Sequence, residues 1–459
     1  MRIRSTVPPA AVASFFLVML VGVWSWPFTV DDAFVVARYG ARLAEGKGYT
    51  MNDGPPSDGV TGPLWVAPFA AARALRLEPM VAAKLLGLGC MALAAALCIA
   101  RLRSRAGGRR AAWTAAALLA VQSTPGVWAV AGLETGAATL GFSIALLAAT
   151  RRPRSRPWIA GTAIACLAWL RPELALGSAV LIAALCERDR GAGYRALAVA
   201  SAGAIGVIGF RLEMFGHALP LAFHAKPGPL QNGVHYSLIS LSFCTGGAGL
   251  LLAWYAAKKG GRTERTTALA CAAHTVAVVL AGGDWMPGFR LFAPVLPAYA
   301  MLAATGAVRA APGSRARLYT TLAALCLSCL PPALDLTLQL PRVRAAGTTR
   351  QRVGEPLARW LAESAQTVAL VDVGYLAYRS GVQVVDLAGI TDPVVAAFPG
   401  GHLCKQIDPD YLKLRDPDAI VLHADRPPVV DERGRLDRLN GFPVERWVAS
   451  QPWISRHYR

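Results

Sequence analysis

The sequence predicts a polytopic α-helical membrane protein of about eleven transmembrane helices, with a small carboxyl-terminal α/β domain outside the membrane. Three observations predict it. The first is composition: of 459 residues, 54% are hydrophobic and 16% charged, with a mean hydropathy of +0.40. A soluble domain carries roughly 25% charged residues, so a deficit of this size in a chain this long points to several spans rather than one large soluble core. The second is where the formal charge of +19 lies. It is packed into short basic runs between apolar segments, as the positive-inside rule requires, whereas Arg and Lys nearly balance Asp and Glu from Asp335 onward. That distribution, without any nucleic-acid recognition motif, excludes nucleic acid as the partner. The third is a change of pattern near residue 339, where long apolar runs give way to short β-rich ones.

The elements follow in order. MRIRSTVPPAAVASFFLVMLVGVWSW is a basic end followed by an apolar stretch from Pro9 to Phe28. No small-x-small cleavage site intervenes before Asp31 and Asp32, so the stretch reads as a retained signal anchor. A polar loop runs from Asp31 to Gly62, and Pro63–Leu77 is an amphipathic interfacial piece. Further spans are expected at Met80–Ala100, Ala111–Val130, Leu133–Ala149, Trp158–Leu170, Leu174–Cys186, Ala196–Phe210, Tyr236–Ala256, Thr267–Gly282, Leu291–Val308 and Leu318–Leu334. Basic runs (RLRSRAGGRR, RRPRSRP, ERDRGAGYR, AAKKGGRTER, RAAPGSRAR) follow every second span. With the amino terminus inside, all of them fall on the cytoplasmic side, and the segment after Pro341 falls outside. In that segment TVALVDVG, VQVVDLAGI and DAIVLHA read as strands and VGEPLARWLAES as a helix. Of the nine cysteines, all but Cys404 sit in or beside apolar segments, and the Cys326/Cys329 pair lacks the polar company of a redox or zinc site.

Acidic residues are gathered on one side. Glu187, Asp189 and Glu264 fall inside, while Asp31, Asp32, Glu45, Asp53, Asp58, Glu134, Glu173, Glu213 and Asp284 fall outside or near the outer span ends. Carboxylates at membrane depth are costly and functional by default, so this asymmetry predicts a polar outer cavity. Its sharpest point is Asp31-Asp32, immediately after the first span. Such a pair suits glycosyl transfer, in which a base takes the proton of an acceptor hydroxyl as it attacks the anomeric carbon. A nearby carboxylate also favours an oxocarbenium-like transition state. The plainer reading is that the pair caps the helix AFVVARYGARLAEG. Glu134, Asp284 and Trp285 are candidates to bind sugar or acceptor hydroxyls and faces, against helix capping for Glu134; Glu173 is expected to pair with Arg171.

The segment DDAFVVARYGARLAEGKGYTMNDGPPSDGVTGPLW resembles the first outer loop of GT-C-fold glycosyltransferases, nearest to the group of the mycobacterial terminal arabinofuranosyltransferase. Asp31, Asp32, Arg38, Tyr39, Gly46, Gly48, Asn52, Gly54, Thr61 and Trp65 carry the resemblance. Gly132-Leu133-Glu134-Thr135, Arg171-Pro172-Glu173, FGHALPLAFHAK, GGDWMPGFRLFAPVLP and VDVGYLAYRSGVQVVDLAGITDP follow in the same order. The resemblance implies a transmembrane GT-C-like catalytic domain over 1–338 and an extracytoplasmic α/β domain over 339–459. It implies an inverting transferase that moves a sugar, arabinofuranose or another pentose, from a polyprenyl-phosphate donor to a cell-envelope glycan, lipid or protein. Asp31 or Asp32 would be the base, and Arg38 and Tyr39 would lie at the sugar or acceptor. A lipid-phosphate leaving group needs cations, for which Arg290, Lys226, His224 and Arg171 are placed on outer loops or at a span interruption. No cofactor is specified; a divalent cation between carboxylates is compatible with the residues, but no spacing signature marks one. The alternative classes are a transporter or flippase of envelope precursors, which would show inverted repeats and broken helices, a surface-polysaccharide polymerase or ligase, and a non-catalytic assembly protein.

Overall fold

The computed structural model describes residues 7–103, 107–151, 156–226, 229–312, 314–424, 429–430, 436–437 and 441–458. The amino-terminal basic end and the middles of the first two basic runs lie outside the described residues. Two compact units result, one from Met1–Thr29, Ala83–Val207 and Gly228–Gly347, the other from Val30–Ala82, Ile208–Pro227 and Thr348–Arg459.

The first unit is helical. Helices stand at each apolar segment read from the sequence. Among the described residues, four helices are long and apolar enough to cross a bilayer: Pro79–Leu102, Arg190–Phe215, Arg290–Ala310 and the run Arg315–Ser364. Pro9–Trp24, Thr135–Thr150 and Pro157–Leu170 are apolar but shorter. These helices make the chain a polytopic helical membrane protein. Its helices meet through small residues, as membrane helices do. Ala92, Ala95, Ala115, Ala300, Ala303 and Ala304 all line one buried cluster. At Gly136 an added Cβ would run into the carbonyl of Gly87.

Two departures from the sequence reading have plain causes. The single span expected at Tyr236–Ala256 is instead two helices, Leu230–Thr245 and Ala248–Lys259, bent by 86°. Gly246 and Gly247 stand at the break with φ of 60° and 67°, a region that costs glycine little. The helix expected to stop near Leu334 continues from Arg315 to Thr349 through Pro331, Pro332 and Pro341. Proline in an apolar helix is tolerated where neighbouring groups take up the freed carbonyls. It then passes through a π-helical turn, Arg350–Gly354, into Glu355–Ser364.

The second unit joins the first polar loop to the carboxyl-terminal segment. Its sheet has three parallel strands, β1 (Thr367–Leu370), β2 (Gln383–Asp386) and β3 (Ala419–Ile420), in the order β2-β1-β3. All three lie where the β-rich runs were read. Val368 and Ala369 pair with Val384 and Val385 on one side and with Ala419 and Ile420 on the other. Val371, Leu387, Val395, Leu412, Val444 and Val448 fill the core beside them. The first loop supplies the helix Asp31–Ala44 and a polar turn. In that turn the Asn52 amide pairs with β2 as a neighbouring strand would: its Nδ2 donates to the Val384 carbonyl at 2.7 Å and its Oδ1 accepts from the Val384 N–H at 2.9 Å.

Candidate active site

In the second unit, Asp31 is the first residue of its helix, with Val30 as N-cap. Neither member of the Asp pair is therefore the N-cap. Asp31 reaches another element instead. Its Oδ2 accepts from the Gly374 N–H at 2.7 Å and its Oδ1 from the Tyr375 N–H at 2.8 Å, at the start of the short helix Tyr375–Ser380. A helix amino terminus presents unsatisfied N–H groups and a partial positive charge, and so holds a carboxylate in a fixed orientation.

Two turns further along, Arg38 grips the other end of the same short helix. Its guanidinium donates to the Ala377 carbonyl, to the Val382 carbonyl at 2.6 Å and to the Met51 carbonyl at 2.7 Å. Between them Phe34 meets the Tyr375 ring edge-on at 4.9 Å. Residues 31, 34 and 38 share one face at helical spacing. That face carries a carboxylate for one end of the partner helix, a ring for its middle and a guanidinium for its carbonyl end. Burial and the neighbouring Arg42 push Arg38 down to about 10. Tyr39 is fully buried, its hydroxyl bonded to Ser57 Oγ at 2.6 Å and accepting from the Gly59 N–H.

Burial, with the charges of Asp372 and Asp32, pushes the Asp31 carboxyl up to about 7, although its two backbone hydrogen bonds act the other way. The Arg350 guanidinium, from the π-helical turn, lies over Phe34 at 5.0 Å and Tyr375 at 5.5 Å and interacts with the Asp31 and Asp372 charges. A single π turn in an α-helix frequently marks a functional site. Asp32 faces a second group, His402, whose Nδ1 is buried without a hydrogen-bond partner. Burial and the Lys226 charge push His402 down to about 3, Asp32 pulling the other way, so the imidazole is neutral at physiological pH. Lys226 thus acts on His402, while His224 is exposed, its ring 5.8 Å from that of His217.

Gly374 makes this arrangement possible by its lack of a side chain. A Cβ there would run into the Asp31 backbone oxygen and stand 2.6 Å from Oδ2. Gly374→Ala is therefore expected to dislodge the Asp31 carboxylate, and any activity that depends on it should fall by at least about tenfold, since small misplacements of reacting groups are costly. Its φ of −73° suits any residue, but the clash is with backbone, so the thermal unfolding midpoint should also fall measurably. An activity assay beside a melting curve checks both.

The remaining predicted site residues lie in the first unit. Arg171 is buried between two carboxylates, Nε 2.7 Å from Glu134 Oε1 and Nη1 2.8 Å from Glu173 Oε1. Glu134 makes no capping hydrogen bond to its helix; it serves this pair instead, and Glu173 pairs with Arg171 as expected. Arg290 is bonded to Asp284, Nε to Oδ2, at 2.5 Å and lies over the buried Trp128 ring at 5.5 Å. Trp285 is 63% exposed. Among the described residues, no group of three or more His, Cys, Asp or Glu side chains is placed to hold a metal ion.

The chain is similar in fold to ArnT. The structure of ArnT from Cupriavidus metallidurans bound to undecaprenyl phosphate matches 82% of this chain and 85% of that one, with 14% sequence identity and a TM-score of 0.57. The apo structure of the same protein matches over the same shares with a TM-score of 0.54. At this identity the likeness is one of fold, and it bears out the GT-C-like architecture expected from the sequence without extending to the arabinofuranosyltransferase-like group. Residues 342–458 match a family model described as a domain of unknown function, DUF8728. No curated protein matches the chain.

Sequence reasoning found Asp31, Asp32 and Lys226 but assigned no role to Arg350, Asp372, Gly374, Tyr375 or His402. All but Arg350 and His402 lie in VDVGYLAYRSGVQVVDLAGITDP, the segment whose resemblance was noted, and that segment was the available signal.

Proposed function

We propose that this chain is an inverting glycosyltransferase of the membrane, moving a sugar from a polyprenyl-phosphate donor to an acceptor hydroxyl, with Asp31 as general base. The observation that carries the reading is the Asp31 carboxylate, held by two backbone N–H groups and pushed up to about 7. A base works best when its pKa lies near the working pH. The donor class rests on the fold shared with ArnT, whose structure holds undecaprenyl phosphate.

In this reading the acceptor hydroxyl loses its proton to Asp31 as its oxygen attacks the anomeric carbon. The bond from that carbon to the phosphate oxygen breaks, and polyprenyl phosphate leaves with the electron pair. Charge then grows on the phosphate, and cationic groups stabilise it. Lys226 serves that role. Neutral His402 and Asp32 orient hydroxyls of sugar or acceptor. Arg38 and Tyr39 act by holding the first loop in place. We further infer about eleven spans, insertion in the inner membrane, an extracytoplasmic site, a catalytic domain over 1–338 with an outer α/β domain over 339–459, and a pentose such as arabinofuranose passed to an envelope glycan, lipid or protein.

The test offers purified protein a panel of labelled polyprenyl-phosphate sugars and nucleotide sugars with envelope extracts as acceptor. Consumption of a lipid-linked donor, and of no nucleotide sugar, supports the reading. Consumption of nucleotide sugars alone would overturn it. A second reading, a transporter or flippase, draws on the 86° break between Leu230–Thr245 and Ala248–Lys259, since broken helices frame transporter sites. Movement of lipid-linked sugar across proteoliposomes without transfer would favour it.

A further inference from the structure

β1 ends at Leu370, and the chain turns through Val371, Asp372 and Val373 before Gly374 and Tyr375 present their N–H groups to Asp31. What fixes that turn from behind is a chain of ionised groups. Asp372 Oδ2 lies 3.3 Å from His423 Nε2, and the other ring nitrogen, Nδ1, lies 2.8 Å from Glu445 Oε1. Glu445 is fully buried. Its Oε2 accepts the Phe442 N–H at 2.7 Å and its Oε1 the His423 N–H at 3.3 Å. The Phe442 ring sits edge-on to the imidazole at 5.5 Å. His423 itself follows β3, whose continuation is tied to β1 by the Val421 N–H to the Ala369 carbonyl at 2.9 Å. One imidazole is thus held between a buried carboxylate and the carboxylate of the turn that cradles Asp31. None of these groups touches Asp31 itself, and the mechanism above uses none of them.

We propose that Asp372, clamped by His423 against the buried Glu445, is a positioning residue for Asp31: it fixes the turn whose Gly374 and Tyr375 N–H groups grip that carboxylate, and it keeps a negative charge beside it. The groups facing Asp31 are Asp32 from its own helix, Asp372 and Tyr375 from the turn, and Arg350 from the π-helical turn. Those facing His423 are Asp372 and Glu445, and both push the imidazole up to about 10, against its partial burial. At neutral pH it is an imidazolium whose charge partly offsets that of Asp372. Removing the Asp372 charge frees Asp31 to ionise at lower pH. Removing the His423 charge leaves Asp372 uncompensated and holds Asp31 protonated to higher pH. The inference deepens the reading of Asp31 as base, and its test does not depend on transfer.

The full-length protein in membranes is treated with a hydrophobic carbodiimide, which modifies protonated carboxyl groups, across a pH series. Modification of Asp31 is read by site-resolved peptide mass spectrometry. Asp372 and His423 are both about half exposed, so Asp372→Asn and His423→Gln are compatible with folding. Wild type is expected to lose reactivity at Asp31 as pH rises through about 7. Asp372→Asn should raise the ionised-to-protonated ratio of Asp31 at fixed pH by about threefold or more, and His423→Gln should lower it. In the Asp372→Asn background, His423→Gln should change nothing further. An unmoved midpoint in Asp372→Asn, or a His423→Gln effect that persists without Asp372, would overturn the proposal. If the chain transfers no sugar while these shifts appear, the base assignment fails and the positioning stands. If transfer depends on Asp31 while these shifts are absent, the reverse holds.

Discussion

Replacing Asp31 by asparagine is expected to cut sugar transfer from a polyprenyl-phosphate donor by roughly 10²- to 10⁴-fold, the range for removal of a general base. The change keeps the shape of the side chain but sets an amide NH₂ against one of the two N–H groups, of Gly374 and Tyr375, that the carboxylate accepts. One hydrogen bond is therefore lost, at a cost of about 1–3 kcal/mol. The pH dependence separates chemistry from this structural cost. The Asp31 carboxyl is pushed up from its ordinary 3.8 to about 7 by burial and by Asp372 and Asp32. A base must be ionised, so wild-type transfer should rise with pH through about 7. Stability should run the opposite way, because a carboxyl raised in the folded state favours folding while protonated and loses that contribution as pH rises from about 4 to about 7. Asp31→Asn should abolish both trends. Asp32→Asn should lower transfer less and leave the rise with pH in place. Rates and unfolding midpoints measured from pH 5 to 9 check the pair.

The largest stability effect is expected at Arg171. Its guanidinium lies between Glu134 and Glu173 at 2.7 and 2.8 Å, and the three side chains are only 7%, 9% and 11% exposed. Its Nη2 also lies 3.4 Å from Thr135 Oγ1. Arg171→Met leaves two buried carboxylates without their cation, at a cost of about 3–5 kcal/mol. The triple variant Arg171→Met, Glu134→Gln, Glu173→Gln removes the charges together and should recover most of that loss. Thermal unfolding in detergent distinguishes the two variants. If the triple variant is stable yet inactive, the cluster serves the substrate as well as the fold.

Much of the architecture was legible because apolar helices and short parallel strands are local patterns. The segment TVALVDVG became β1 and VQVVDLAGI became β2, since β-rich runs bounded by turn residues leave few alternatives. The break at Gly246-Gly247 was visible as two glycines, but the apolar character of both sides hid it: hydropathy reports burial in lipid and not direction. The helix of Arg315–Thr349 runs past the expected end at Leu334 through Pro341, because the effect of a proline depends on what surrounds the helix.

The candidate site was legible on one side only. Asp31 stood out beside the end of a span, but its partners Gly374 and Tyr375 are 343 and 344 positions away. Nothing local to Arg38 says that it will meet the carbonyls of Ala377 and Val382; by type and place it looked equally fit for a ligand. His423 and Glu445 lie in stretches with no motif at all, and their link to Asp372 appears only when β3 folds beside β1.

The central claim is tested most directly by following both products of one reaction: labelled sugar on the acceptor and free polyprenyl phosphate, measured together for wild type and Asp31→Asn near pH 8. The account predicts that wild type releases one polyprenyl phosphate for each sugar transferred, and that both products fall together by roughly 10²-fold or more in Asp31→Asn. Equal rates of both products in the two proteins would contradict it and leave Asp31 as an anchor for the helix Tyr375–Ser380.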